Sequence, residues 1–144
     1  MHEELRLDNQ LCFKIYSASR LIGQAYRQLL EPLGLTYPQY LVMLVLWEQD
    51  NLTVGEIGQR LMLDTNTLTP LLQRMENDGL IVRTRGIADG RKTLVSLNKK
   101  GRRLEEQARE LPASLTALWQ DGSVNEEQLR NLTAVLDTIS ERLR

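Results

Sequence analysis

The chain contains one cysteine, Cys12, and one histidine, His2, in 144 residues. A single thiol cannot close an internal disulfide or build a multi-thiolate metal site, and a histidine beside a fraying N-terminus leaves little for imidazole catalysis or metal ligation. Metal-dependent and histidine-based enzyme readings are weak, and no metal, cofactor or catalytic residue is expected. No apolar run approaches the roughly 18 residues of a membrane helix, and the N-terminus lacks the cationic, apolar and small-residue parts of a secretory leader. A cytoplasmic protein with no membrane partner is expected. Internal repeats, low-complexity tracts and long linkers are absent as well.

What is present suffices for one fold. With 42% apolar and 26% charged residues, a chain of this length can bury a sizeable core, and a single domain over 1–144 is expected. The net charge of −1, from 18 Lys and Arg against 19 Asp and Glu, argues at first sight against a polyanionic partner. Its distribution reverses that. Residues 81–103 carry Arg83, Arg85, Arg91, Lys92, Lys99, Lys100, Arg102 and Arg103 against Asp89 alone, whereas 1–50, 51–80 and 104–144 are each acidic overall. Such a local excess attracts a polyanion whatever the total. A merely solvated charged face is the alternative, and the structure that carries the charges decides between them.

From Leu11 the apolar residues Leu11, Ile15, Ala18, Ile22, Ala25 or Tyr26, and Leu29 recur at three- and four-residue spacing, predicting a helix capped by Asp8 or Asn9. Thr36-Tyr37-Pro38-Gln39 is a capping box with proline in the first turn. It opens a second, almost wholly apolar helix to about Glu48, expected at the centre of the core. Thr53-Val54-Gly55-Glu56 opens a short third helix through Ile57 and Leu61, and Asp64 caps a fourth, from Thr65 to about Asp78, stopped by Gly79. Leu80–Arg85 and Thr93–Leu97 then read as two strands of a hairpin, joined through Ala88-Asp89-Gly90-Arg91. Beyond Asn98 the pattern is helical again, with a break at Pro112 and a last helix capped from Ser123-Val124-Asn125-Glu126.

Two short helices joined by a tight turn and followed by a hairpin make a winged helix-turn-helix. The fold class is mainly α with a small β-hairpin wing, an α+β arrangement with N- and C-terminal dimerisation helices. In this motif the second helix enters the major groove. Its apolar face would be Leu68, Leu71, Leu72 and Met75, and its other face Thr65, Asn66, Thr67, Thr69, Gln73 and Arg74. Asn66 and Gln73 suit adenine, Arg74 suits guanine or phosphate, and the threonines suit either. Arg83, Arg85 and Arg91 would reach the duplex from the wing, Arg91 at its tip entering a minor groove. A winged helix used for protein contacts is the alternative.

A winged helix needs only the region from about 36 to 97, so the apolar stripes of about 1–35 and 98–144 are expected to pack on a second subunit. A two-fold dimer sets the reading helices about 34 Å apart on a pseudo-palindromic operator. One larger monomeric domain is the alternative. Cys12 stands in the first turn of the first helix, where the dipole favours a thiolate, with Tyr16 one turn on and Tyr26 and Tyr37 near in sequence. A lone cysteine of this kind is otherwise an inert buried residue.

These residues resemble the MarR (multiple antibiotic resistance regulator) winged-helix repressors, and within them the organic hydroperoxide resistance regulators of one-cysteine type. The resemblance rests on Leu11-Cys12-Phe13, Tyr16-Ser17-Ala18-Ser19-Arg20, the run from Leu30 to Tyr40, Leu68-Thr69-Pro70-Leu71-Leu72 and the wing residues Asp89-Gly90-Arg91. It implies that Cys12 is a peroxide sensor, with Tyr26 and Tyr37 of the other subunit hydrogen-bonding its sulfur, and that Asp64, Pro70, Asp89 and Arg91 belong to the DNA-binding surface. With no second cysteine, it implies a sulfenic acid at Cys12, followed by a mixed disulfide with a small thiol or by further oxidation. Two other readings stay open: a repressor released by a small phenolic or lipophilic ligand, with Cys12 incidental, and a cysteine peroxidase.

Overall fold

Capping chemistry sets most of the element boundaries. The computed structural model describes residues 1–85 and 92–144. Along them run α1 (Leu11–Leu30), α2 (Tyr37–Glu48), β1 (Leu52–Thr53), α3 (Val54–Leu61), α4 (Thr65–Asn77), β2 (Ile81–Arg85), β3 (Thr93–Leu97), α5 (Lys99–Ala108), α6 (Leu111–Thr116) and α7 (Glu126–Leu143). Both expected capping boxes are formed. The Thr36 hydroxyl accepts from the Gln39 N–H at 3.3 Å while the Gln39 side chain accepts from the Thr36 N–H at 3.1 Å, and Thr53 and Glu56 reciprocate in the same way at 3.1 and 2.9 Å. The Asp64 carboxylate accepts from the Thr67 N–H at 2.8 Å and so starts α4.

Two caps differ from expectation. Gln10, not Asp8 or Asn9, occupies the N-cap of α1 and makes no side-chain cap. Asn9 is held instead in a preceding 3-10 turn, its amide donating to the Glu3 carbonyl at 2.8 Å. At α7 the cap is Asn125, paired reciprocally with Gln128, while the Ser123 N–H is taken by the Asp121 carboxylate at 3.0 Å.

The chain divides into two compact units, Met1–Arg109 and Glu110–Arg144. In the first, α2 is the central element: Tyr40, Val42, Met43, Val45 and Leu46 are buried, joined by Ile57 of α3, by Leu68, Leu71, Leu72 and Met75 of α4 and by Val95 of β3. Burying each such side chain contributes on the order of 2 kcal/mol. The four buried residues of α4 are those the periodicity assigns, and this fixes which face of the helix is left outside. Gly79, at φ +78°, ends α4. Its N–H bonds the Glu76 carbonyl and that of Leu80 bonds Met75, both at 3.0 Å, closing a Schellman turn that sends the chain into β2.

The sheet has three antiparallel strands in the order β1-β3-β2, with Leu52 opposite Val95 and Arg83 opposite Val95 on the other side. The hairpin strands match the sequence reading, whereas β1 was not foreseen. After β3, the first turn of α5 is clamped to the rest of the unit. The Trp47 indole donates to the Gly101 carbonyl at 2.9 Å, Lys100 donates to the Asp78 carbonyl at 2.9 Å, and the Asp50 carboxylate takes the Leu97 N–H at 2.9 Å and Arg102 at 3.4 Å.

In the second unit, Pro112 lies in the first turn of α6, so the expected break falls there. Leu111 and Leu115 are buried, but α7 has no buried residue along its length.

Candidate nucleic-acid interface and thiol site

Because Leu68, Leu71, Leu72 and Met75 turn into the core, Asp64, Thr65, Asn66, Thr67, Thr69, Pro70, Gln73 and Arg74 all lie on the exposed side of α4. Pro70 is inside the helix and supplies no N–H, so the Asn66 carbonyl is left without its usual helical donor on that outward turn. Between this face, the start of α3 and the hairpin is a cleft of about 370 Å³ whose lining includes Thr53, Gly55, Thr65, Thr69, Arg83 and Lys92. Val54 and Leu72 add apolar surface to the same lining.

The wing arginines are not alike. Arg85 is exposed at the end of β2. Arg83 is half-buried and held by α4: its backbone N–H donates to the Glu76 carboxylate at 2.9 Å, and its guanidinium pairs with the same carboxylate at 3.2 Å. The guanidinium also donates to the Gln73 side-chain oxygen, and the Gln73 amide donates on to Asn77 at 3.1 Å. These bonds hold the Glu76 carboxyl below its ordinary range, the Arg83 N–H first among them. Sequence reasoning counted Arg83 as a free cation and missed Glu76, since no spacing rule links the end of a helix to the third residue of the following strand. Asp89 and Arg91, expected in the wing, lie outside the described residues.

Cys12 is the second residue of α1 and is exposed in the single chain, so no residue of its own chain buries the thiol. Tyr16, one turn along, is also exposed. Tyr26 is fourteen residues from Cys12, about 21 Å along the helix axis, so the two cannot touch within one chain. Tyr26 instead stacks near Tyr37, with ring centroids 4.6 Å apart, and both lie near the buried ring of Tyr40, at 5.7 and 6.3 Å. Burial raises all three phenol pKa values above the ordinary one, aided at Tyr26 and Tyr40 by the neighbouring ring hydroxyls. Each therefore keeps its proton, and hence a donor, at neutral pH. Tyr40 was read from sequence only as core; its place in this cluster depends on the packing of α1 against α2.

Beside Tyr37 opens a cavity of about 660 Å³ whose lining includes Arg20, Gln24, Arg27, Leu35 and Thr36. Among the described residues no group of three or more His, Cys, Asp or Glu could hold a metal ion, and no single helix is long and apolar enough to cross a membrane.

A family model described as transcriptional regulator SarA/Rot matches residues 24–107. The organic hydroperoxide resistance transcriptional regulator of Bacillus subtilis is 43% identical, over 98% of this chain and 94% of its own length. The chain belongs to the organic hydroperoxide resistance transcriptional regulators, the branch of the MarR family that its sequence resembles. Among solved structures, reduced AbfR bound to DNA matches this MarR-family chain with a TM-score of 0.84 at 37% identity, covering 99% of each chain. The disulfide form of AbfR, a protein of Staphylococcus epidermidis, matches with a TM-score of 0.68 at 37% identity over 95% of this chain and 94% of its own. The Bacillus relative and the family model are both described as transcriptional regulators, and the winged helix-turn-helix expected from sequence is the fold observed.

Proposed function

We propose that this MarR-family regulator is a cytoplasmic homodimeric repressor that binds a pseudo-palindromic operator and leaves it when an organic hydroperoxide oxidises Cys12. The observation that carries the DNA-binding reading is the division of α4, whose four apolar residues are buried while each residue from Asp64 to Arg74 nominated for base or phosphate contact is exposed. On this reading about 36–97 form the DNA-binding region, with Asp64 to Arg74 facing the major groove and Arg85, Asp89 and Arg91 supplied by the wing. The segments of about 1–35 and 98–144 dimerise. Leu11, Phe13 and Leu21 of α1 and Leu132 and Val135 of α7 are large apolar side chains left exposed in a single chain, and a second copy of the chain is what would cover them.

The regulatory chemistry follows from an exposed thiol with no partner cysteine in its chain. The Cys12 thiolate attacks one oxygen of the hydroperoxide, the O–O bond breaks, and the alcohol leaves with a proton as Cys12 becomes a sulfenic acid. A small thiol then condenses with the sulfenic acid, releasing water and leaving a mixed disulfide, or further peroxide oxidises the sulfur. Since Cys12 and Tyr26 are about 21 Å apart on α1, phenol donors from Tyr26 and Tyr37 reach the sulfur only from a second copy. The name of the Bacillus relative and the reduced and disulfide forms of AbfR support this chemistry.

DNA binding is tested by selecting duplexes from a randomised pool and measuring affinity against salt. Arg91→Ala is expected to weaken binding across sequences and flatten the salt dependence by about one unit per lost phosphate contact. An unchanged slope and affinity would remove the wing from the interface.

A further inference from the structure

The bracket formed by Glu76, Arg83 and Gln73 has a consequence for sequence readout, resting on the DNA-binding reading above. Arginine only donates, so the Gln73 atom facing Arg83 must be its oxygen, and the sense of the amide is thereby fixed. Its nitrogen donates one hydrogen to Asn77 at 3.1 Å. A primary amide has two acceptor sites on oxygen and two N–H donors. Among the described residues one acceptor site and one donor therefore stay unused on an exposed residue of the reading helix, which is the pair an adenine edge requires: N6–H to the oxygen and N7 from the nitrogen. Gln73, Glu76 and Asn77 share one face of α4, three and four residues apart. Without Glu76 the Arg83 guanidinium would lose its 3.2 Å partner and the 2.9 Å anchor of its own backbone.

We infer that Gln73 is a specificity-determining residue that reads an adenine in the major groove, and that Glu76 is a positioning residue which, through Arg83, holds the Gln73 amide in the orientation that does so. Arg83 on this account is an internal bracket and not a phosphate ligand.

The test uses the full-length protein and a duplex selected from a randomised pool, with single adenines replaced in turn by 7-deazaadenine, which lacks the N7 acceptor. The wild type is expected to lose about tenfold in affinity at one adenine per half-site, and Gln73→Ala to be indifferent to the same replacement. Glu76→Ala, or Glu76→Gln should the alanine variant fail to fold, is expected to lose most of that discrimination while binding unselected duplex more tightly than the wild type, since an anion leaves the DNA-facing surface and Arg83 is freed. The double variant Gln73→Ala/Glu76→Ala should discriminate no less than Gln73→Ala alone. Glu76 variants that retain full discrimination, or that weaken selected and unselected duplexes equally, would overturn the inference. Failure of the wild type to enrich any duplex would instead overturn the DNA-binding reading beneath it.

Discussion

The Glu76 carboxylate takes both the backbone N–H of Arg83, at 2.9 Å, and its guanidinium, at 3.2 Å, and so ties the reading helix to the first strand of the wing. One of the cations that make residues 81–103 basic is thus already matched by an anion on α4. The electrostatic footprint of the region is smaller than a count of charges implies, and Arg85 remains exposed at the end of β2.

This pair gives a pH dependence. Its hydrogen bonds lower the Glu76 pKa below the ordinary value of 4.5, so the ionised form is favoured in the folded state. The stabilisation is present above pH 4.5 and is lost as the pH falls from there through the lower folded value. Urea unfolding of wild type and Glu76→Gln between pH 7 and pH 3 should show the wild type losing stability more steeply below 4.5. Parallel curves would mean that the pair contributes nothing.

A close approach makes Gly101 intolerant of any side chain. A Cβ there would lie 2.3 Å from the Leu80 carbonyl oxygen and 3.1 Å from the Met43 methyl carbon, and the backbone cannot yield where Trp47 and Lys100 clamp the same turn. Gly101→Ala should cost about 3 kcal/mol. Gly55→Ala, whose Cβ would meet nothing closer than 3.9 Å, should be neutral or slightly stabilising. Thermal melts of the two variants check the contrast.

The tyrosine cluster predicts an alkaline signature. With Tyr16 replaced by Phe, the three phenols of Tyr26, Tyr37 and Tyr40 should all titrate above 10.0, because burial disfavours their ionised forms. Since the folded pKa values are raised, the associated stability is present below pH 10 and is lost as pH rises through them. Absorbance at the tyrosinate band measures this, and a midpoint at 10.0 would contradict the packing.

Local rules made much of this fold readable. The boxes at Thr36 and Thr53, the cap at Asp64 and the stop at Gly79 need only neighbours within a few residues. The apolar period of α4 likewise assigned its inner and outer faces. The reading failed where a rule was satisfied twice or where partners were distant. Ser123…Glu126 and Asn125…Gln128 both fit a capping box, and only the Asp121 bond to Ser123 settles which is used. Strand β1, two residues long, has no period of its own and exists by pairing with β3. The Arg83 bracket and the place of Tyr40 among the phenols were hidden for the same reason, being contacts that arise only after helices and strands have packed.

The most direct test of the central claim is release of a selected operator duplex on titration with cumene hydroperoxide, for wild type and Cys12→Ser, with the mass of each protein measured at the same points. The wild type is expected to gain oxygen, or a small thiol where one is supplied, on Cys12 and to leave the DNA, while Cys12→Ser stays bound at the same dose. Equal release of both proteins would contradict that claim and favour a regulator governed by a non-covalent ligand.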